Sequence, residues 1–310
     1  DVVKNERRQS YETRPYGMAS LTIRENLYPP DHPYNWPTIG SMEDLSAASY
    51  EDVLEFFSAW YSPSNASLSI AGDIDIEEAK ALVEKWFSDV PAGPPVPPAD
   101  AIVAFLTEEK RLVLEDKVSL PRLYMSWHSP ALFSPGDAEF DVLADLLAGG
   151  KTSRLYRRLV YELQIAQNVF AFQGSGELGS SFRIVATARA GHDLDELEQV
   201  IQEEIDRIKR EQPGEREVQR VVNQIEARRI DGLERIGGFG GKADRLNMYY
   251  IYTGNPDYFN EDLARYKALD PSDIQAVAQT YLRDDGRVVL SVVPEGREEL
   301  AASGGAPKTD

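Results

Sequence analysis

The segment Ser49-Tyr-Glu-Asp-Val-Leu-Glu-Phe-Phe-Ser-Ala-Trp-Tyr61, followed by Leu68-Ser-Ile70, is echoed late in the chain by Asp270-Pro-Ser-Asp-Ile-Gln-Ala-Val-Ala-Gln-Thr-Tyr-Leu282, followed by Leu290-Ser-Val292. Each copy reads as a capped amphipathic helix that feeds a short apolar strand. Upstream, Val2-Val-Lys-Asn-Glu6-Arg-Arg8 echoes Val221-Val-Asn-Gln-Ile-Glu226-Ala-Arg228. The interval from that glutamate to the aspartate of the following helix cap is nearly the same in both, Glu6 to Asp52 and Glu226 to Asp273. A chain that repeats helix, cap and strand at matching intervals is built from one domain type used twice. The pattern further predicts that the first copy lacks its front.

At 310 residues the chain is long enough for two such domains, each with its own core. A formal charge of −19, from 33 basic against 52 acidic side chains, argues against a phosphate-tracking surface and so against a nucleic-acid partner. The absence of cysteine excludes disulfides, thiolate zinc sites and a cysteine nucleophile. No run approaches the roughly 18 apolar residues of a membrane helix, and no membrane partner is expected. No basic head followed by an apolar stretch marks a signal peptide. These features leave the compartment open.

Along the chain, residues 1–13 carry a helical pattern that Pro15 ends, and 14–48 are rich in turn formers, reading as loops with short helices. A helix from the Ser49 cap to Tyr61, a strand over Ala66–Ala71 and a helix over Ile76–Phe87 follow. The division expected from this is 1–92 as the C-terminal half of the first domain, a proline-rich linker over 93–100, a complete second domain over 101–297, and a flexible tail over 298–310. Within the second domain, strands are expected at 101–106, 111–115 and 122–127. A helix opens at Ser134-Pro-Gly-Asp137, Gly149-Gly150 breaks it, and Thr152–Leu163 resumes it. Segments 167–173 and 181–189 read as a hairpin, and helices at about 193–210, 214–235 and 240–253 precede the repeated helix and strand. The fold class is therefore α+β: two copies of a mixed or antiparallel sheet with helices packed on one face, the first copy truncated at its N-terminus.

The motifs Phe57-x-x-x-Tyr61-x-Pro63-x-Asn65 and Leu68-x-Ile70-x-Gly72-Asp73-x-Asp75, then a helix ending Trp86-Phe87, resemble the insulinase or pitrilysin family of zinc peptidases. So do Val2-Val-Lys-Asn-Glu6-Arg-Arg8, His32-Pro-Tyr34 followed by Gly40, and Ser153-Arg-Leu-Tyr156 after a glycine pair. Together these motifs span almost the whole chain. The resemblance implies paired α+β domains forming a clamshell around a peptide-degrading chamber. It also implies a zinc site built from His-x-x-Glu-His and a downstream glutamate.

Glu6 occupies the position of that downstream zinc ligand, but its histidine pair is missing. The three histidines, His32, His128 and His192, are not spaced as such a pair, and the corresponding helix of the second copy, Asp141-Val-Leu-Ala-Asp145, has no imidazole. One carboxylate alone does not hold zinc, so zinc is expected in the full-length protein and none in this fragment. No catalytic residue is assigned within the chain. Val160 and Gln167 stand at the approximate positions of an arginine and a tyrosine with which the family grips substrate, with Arg157 and Arg158 close by. His128 reads as a strand-end residue and His192 as an exposed turn residue. Gly237-Gly-Phe-Gly-Gly241 reads as a break between helices, and Gly149-Gly-Lys-Thr152 lacks the upstream glycine of a nucleotide loop.

The function implied is part of a zinc-dependent metalloendopeptidase acting on peptides or small unfolded proteins. Its partners would be a peptide substrate, an upstream half-domain and a second clamshell half or homologous subunit. The alternative is a non-catalytic scaffold or partner subunit of a processing-peptidase-like heterodimer, and a weaker third reading is a stand-alone peptide-binding module. Bacterial relatives of this kind point to the periplasm or secretion, with the cytoplasm as the other possibility.

Overall fold

The computed structural model describes residues 1–97 and 103–307. Its contacts divide the chain into two compact units. The first comprises Asp1–Met42, Ile102–Val222 and Arg265–Asp310, and the second Glu43–Ala101 and Asn223–Ala264. Chain order and packing therefore differ. Residues 1–42, expected with the first copy, pack with the body of the second, and 223–264 pack with the remainder of the first.

The first unit is organised on a mixed sheet of β1 (Lys110–Asp116), β2 (Arg122–Ser129), β3 (Ala166–Gly174), β4 (Ser180–Ala188), β5 (Arg287–Pro294) and β6 (Ala306–Pro307). Their order across the sheet is β3-β4-β2-β5-β1-β6. β2 pairs antiparallel with β4 and β5, β3 pairs antiparallel with β4, and β1 runs parallel to β5 and β6. Alternation along β4 shows how the sequence sorts the two faces. Phe182 and Ile184 are fully buried on one side, whereas Arg183, Val185 and Thr187 belong to the other.

Helices Asp137–Ala148, Leu194–Arg210 and Pro271–Tyr281 cover the first face. Each has a reason to be where it is. Asp193 and Asp270 close capping boxes with Glu196 and Asp273, satisfying amide donors that a helix start leaves orphaned. Leu194, Leu197, Ile201, Ile205 and Ile208 form a buried stripe at helical spacing. The centre of this layer is aromatic, with the Phe140 and Phe182 rings 5.1 Å apart and Trp127 6.2 Å from Phe182. The Trp127 indole N–H donates to the Arg283 carbonyl at 2.9 Å, so this buried ring leaves no polar atom unmet.

The other face receives the helix Ala19–Leu27, whose Ala19, Ile23 and Leu27 pack with Tyr124, Val185, Val288, Leu290 and Val292. The α+β class is as expected, and this helix covers part of the second face as well.

Several elements differ from the sequence expectation. Residues 101–102 lie outside the described residues, and 103–106 form no strand. The stretch expected as a helix over 152–163 is helical over 154–162, but most of it, Tyr156–Glu162, is wound as a π-helix rather than an α-helix. A helix at Phe259–Lys267 was not anticipated. The segment 298–307, expected as a flexible tail, is tied down: the Ala302 amide donates to Ser291 Oγ at 3.0 Å, the Ser303 amide to Asp195 at 2.7 Å, and β6 pairs with β1.

In the second unit the Tyr50–Trp60 helix carries the expected Ser49/Asp52 capping box, and Asp75 caps Ile76–Phe87. The expected strand at Ala66–Ala71 does not form. Its local pattern matches β5, but a strand exists only when a neighbour takes its backbone hydrogen bonds, and none of the described strands pairs with it. Leu68 and Ile70 are accordingly 60% and 47% exposed. With Ile74, Leu82, Trp86 and Phe87 they line an apolar groove of about 430 Å³. A buried polar cluster organises the rest of this unit: the Tyr249 hydroxyl donates to Asp262 at 2.8 Å, and Arg229 pairs with the same carboxylate.

Candidate functional site

Glu6 lies exposed on the short helix Val2–Arg7. Its neighbour Arg7 turns away to Glu12 and to the Gly40 carbonyl, at 3.2 and 2.6 Å. Among the described residues no group of three or more histidine, aspartate or glutamate side chains is placed to hold a metal ion. The histidines have other surroundings. His32 is fully buried, stacked on Tyr28 with ring centres 4.7 Å apart, and its Nδ1 accepts the Tyr34 N–H at 2.9 Å.

His128, at the end of β2, donates from Nε2 to the Leu27 carbonyl at 2.8 Å. Burial pushes its pKa down to about 4, against the pull of that carbonyl and with help from His32 and Lys110. The ring is neutral at ordinary pH. His192 meets Glu196 at 2.8 Å in a surface turn. The described residues therefore do not fit a zinc site, and among them Glu6 stands as a single carboxylate without imidazole partners.

Val160 is buried within the Tyr156–Glu162 π-helix, and Gln167 is exposed near the start of β3. Neither side chain can supply the charge or phenol of the family's substrate grip. The nearby arginines are held in ion pairs. Arg157 pairs with Glu162 at 2.6 Å, and Arg158 pairs with Glu203 and the buried Glu204 at 2.7 and 3.0 Å. Both line a polar cavity of about 520 Å³ in which Arg154 also holds Glu217. Gly149 ends the Asp137–Ala148 helix, and Gly150 follows at φ +97°. Gly237–Gly241 separates a short 3-10 turn from the helix Lys242–Thr253, as the sequence suggested.

What the first unit does present is an open sheet edge. β3 is paired only with β4 among the described residues, leaving one row of its backbone groups for another strand. Val169 is buried toward the helices, while Phe170 and Phe172 stand on the opposite face, 56% and 45% exposed. Phe172 is in register with Arg183 of β4, whose guanidinium lies 5.8 Å from the ring. An edge with a free ladder and aromatic side chains at alternate positions can take an extended peptide by strand addition. Sequence reasoning placed the hairpin but passed over this surface. The signal available was the pair of phenylalanines two residues apart, on the face that Val169 and Ala171 do not use.

The model of the family described as "Peptidase M16 inactive domain" matches residues 47–225. The chain belongs to that family, and the resemblance carried by its motifs is thereby shown. It is 26% identical over 304 residues to the zinc protease PqqE of Helicobacter pylori, covering 94% of this chain and 66% of that protein. An uncharacterised zinc protease of Streptomyces coelicolor is 23% identical over 283 residues, covering 88% of this chain and 59% of its own length. The chain thus spans about two thirds or less of the length of these curated relatives. The crystal structure of a protease from Helicobacter pylori superposes with a TM-score of 0.84 at 23% identity, covering 94% of this chain and 70% of that one, a likeness of fold.

Proposed function

We propose that this chain is part of a zinc-dependent metalloendopeptidase, contributing a non-catalytic domain that holds peptide and the back of a zinc-side domain. The observation that carries the reading is the open edge of β3 with Phe170 and Phe172 beside it, on a domain that belongs to an inactive peptidase family. In this reading Glu6 is a third zinc ligand whose histidine pair lies outside residues 1–310. The exposed groove around Leu68, Ile70 and Trp86 packs against the same outlying segment. A second clamshell half or homologous subunit completes the chamber, and the periplasm or a secreted location is the compartment.

Two measurements test this. Fluorescence anisotropy of a labelled extended peptide titrated with the chain should show saturable binding, and its absence up to millimolar protein would remove the peptide-holding role. In the intact gene product, zinc content should be stoichiometric and fall on Glu6→Gln. Zinc that is absent, or indifferent to that change, would exclude the assignment of Glu6 and leave the scaffold reading in its place.

A further inference from the structure

The sheet face beside β3 has a charge character opposite to that of the protein as a whole. In a chain of net charge −19, the face carrying Arg122 and Arg183, with Arg24 nearby, has none of the three arginines in a salt bridge among the described residues. Two of them have other attachments. Arg122 donates from Nε to Thr187 at 2.8 Å and lies 3.6 Å over the Tyr16 ring. Arg24 reaches the Tyr34 carbonyl at 3.3 Å. Arg183 is less committed. Its Nε donates to Ser126 Oγ at 3.2 Å, and neither Nη group makes a hydrogen bond among the described residues.

A guanidinium is costly to desolvate without a carboxylate. Burial, reinforced by the charge of Arg24, holds Arg183 below the usual arginine range even though Tyr124 and Tyr28 pull the other way. A half-buried cation with a planar fork of unused donors is a carboxylate receptor waiting for its anion.

The register says where that anion would come from. A strand added to the free edge of β3 lies two strand spacings from β4, roughly 10 Å. Its side chains on the outer face pass over Phe170 and Phe172. A glutamate opposite Phe172 and the long Arg183 side chain together cover that distance, and an aspartate is one methylene shorter. We propose that the outer face of β3 and β4 is a subsite for an acidic side chain of an extended peptide, with Arg183 as the recognising cation and Phe170 and Phe172 as its floor. The inference rests on the peptide-holding role proposed above and adds to it a preference for glutamate at one position. It runs against the expectation, from net charge alone, that basic peptides are favoured.

The experiment uses the 310-residue chain and two peptides with both ends blocked, identical except for one central Glu or Gln, so that only a side-chain carboxylate differs. Anisotropy titrations should give about tenfold tighter binding of the Glu peptide, the size expected of one charge-assisted hydrogen-bonded pair. Arg183→Met should abolish the difference in affinity between the Glu and Gln peptides, and Arg183→Lys should keep part of it. Far-UV circular dichroism with a thermal melt confirms that the variants are folded, and Arg183→Lys, which keeps the positive charge, controls for the loss of the contacts with Ser126 and Phe172. Equal affinity of the two peptides for the unaltered chain would overturn the inference and leave the peptide-holding role intact. A preference that survives Arg183→Met would also overturn it. Failure of both peptides to bind would overturn the peptide-holding role and this inference with it.

Discussion

Arg154 grips Glu217 through two parallel hydrogen bonds, Nε to Oε1 at 2.9 Å and Nη2 to Oε2 at 2.7 Å, joining the turn after Gly149-Gly150 to the helix Glu215–Asp231. The Ser153-Arg-Leu motif is structural in this chain. Ser153 Oγ donates to the Gly150 carbonyl at 2.6 Å, and Leu155 is fully buried. Burial raises the Glu217 carboxyl, and Arg154 more than offsets this, leaving it below its ordinary range. Arg154→Lys, which cannot make the fork, should destabilise the chain by about 2 kcal/mol. Urea denaturation checks this, and an unchanged midpoint would contradict it.

The neutral His128 ring gives the fold an acid-sensitive step. Its folded pKa of about 4 lies below the unfolded value near 6.5, so the unfolded chain binds more protons between those limits. Stability contributed by the neutral ring is present above pH 6.5 and is lost as pH falls toward 4, by about 3 kcal/mol in all. His128→Gln, which keeps a donor for the Leu27 carbonyl, should flatten that part of a plot of unfolding free energy against pH. An equal slope in both proteins would rule out His128 as its source.

The groove bounded by Leu68, Ile70, Leu82 and Trp86 is an apolar surface of the kind that proteins seldom leave in water. The 310-residue chain by itself should self-associate. Light scattering should report a mass that rises with concentration, and Leu82→Glu with Trp86→Glu should reduce the rise. A monodisperse monomer across a wide concentration range would contradict this.

Asp262 is buried and accepts from Tyr249 while pairing with Arg229. Removing its charge leaves a guanidinium in a site organised for an ion pair. Asp262→Asn should cost about 3 kcal/mol or more, and increased proteolytic nicking near residues 229–262 would mark where the damage falls. The Tyr249 phenol, pushed upward by burial and then by Asp262, stays protonated throughout.

The sequence reports best those elements whose partners are close in the chain. The Ser49/Asp52 and Asp270/Asp273 boxes were readable because a cap is a contact three residues long. The apolar stripe of Leu194–Arg210 was readable because its period is local. The two copies of the repeat then part company: Leu290 and Val292 lie in a strand with neighbours on both sides, whereas Leu68 and Ile70, in the same local pattern, pair with none. No local rule separates them, because strand formation is decided by residues far away. Glu6 could be picked out only by resemblance, since an exposed carboxylate beside two arginines has no local mark of a ligand. Arg183 was missed for a related reason: an arginine in an alternating strand reads as a solvated residue, and only the register with Phe172 and Ser126 shows what surrounds it.

The position of β5 carries a consequence for synthesis. It lies between β2 and β1, and its pairing joins Lys110 to Val288 across most of the chain. Until residues 287–294 have left the ribosome, β1 has no strand beside it, and β2, β3 and β4 form a separate three-stranded piece with β2 as a second raw edge. Closure of so distant a pair is slow, so the sheet is completed only after residues 287–294 have been made, long after β1 itself. A nascent chain stalled before Arg287 would display an unpaired β1 and a second open edge on β2, the form of the protein most in need of a chaperone.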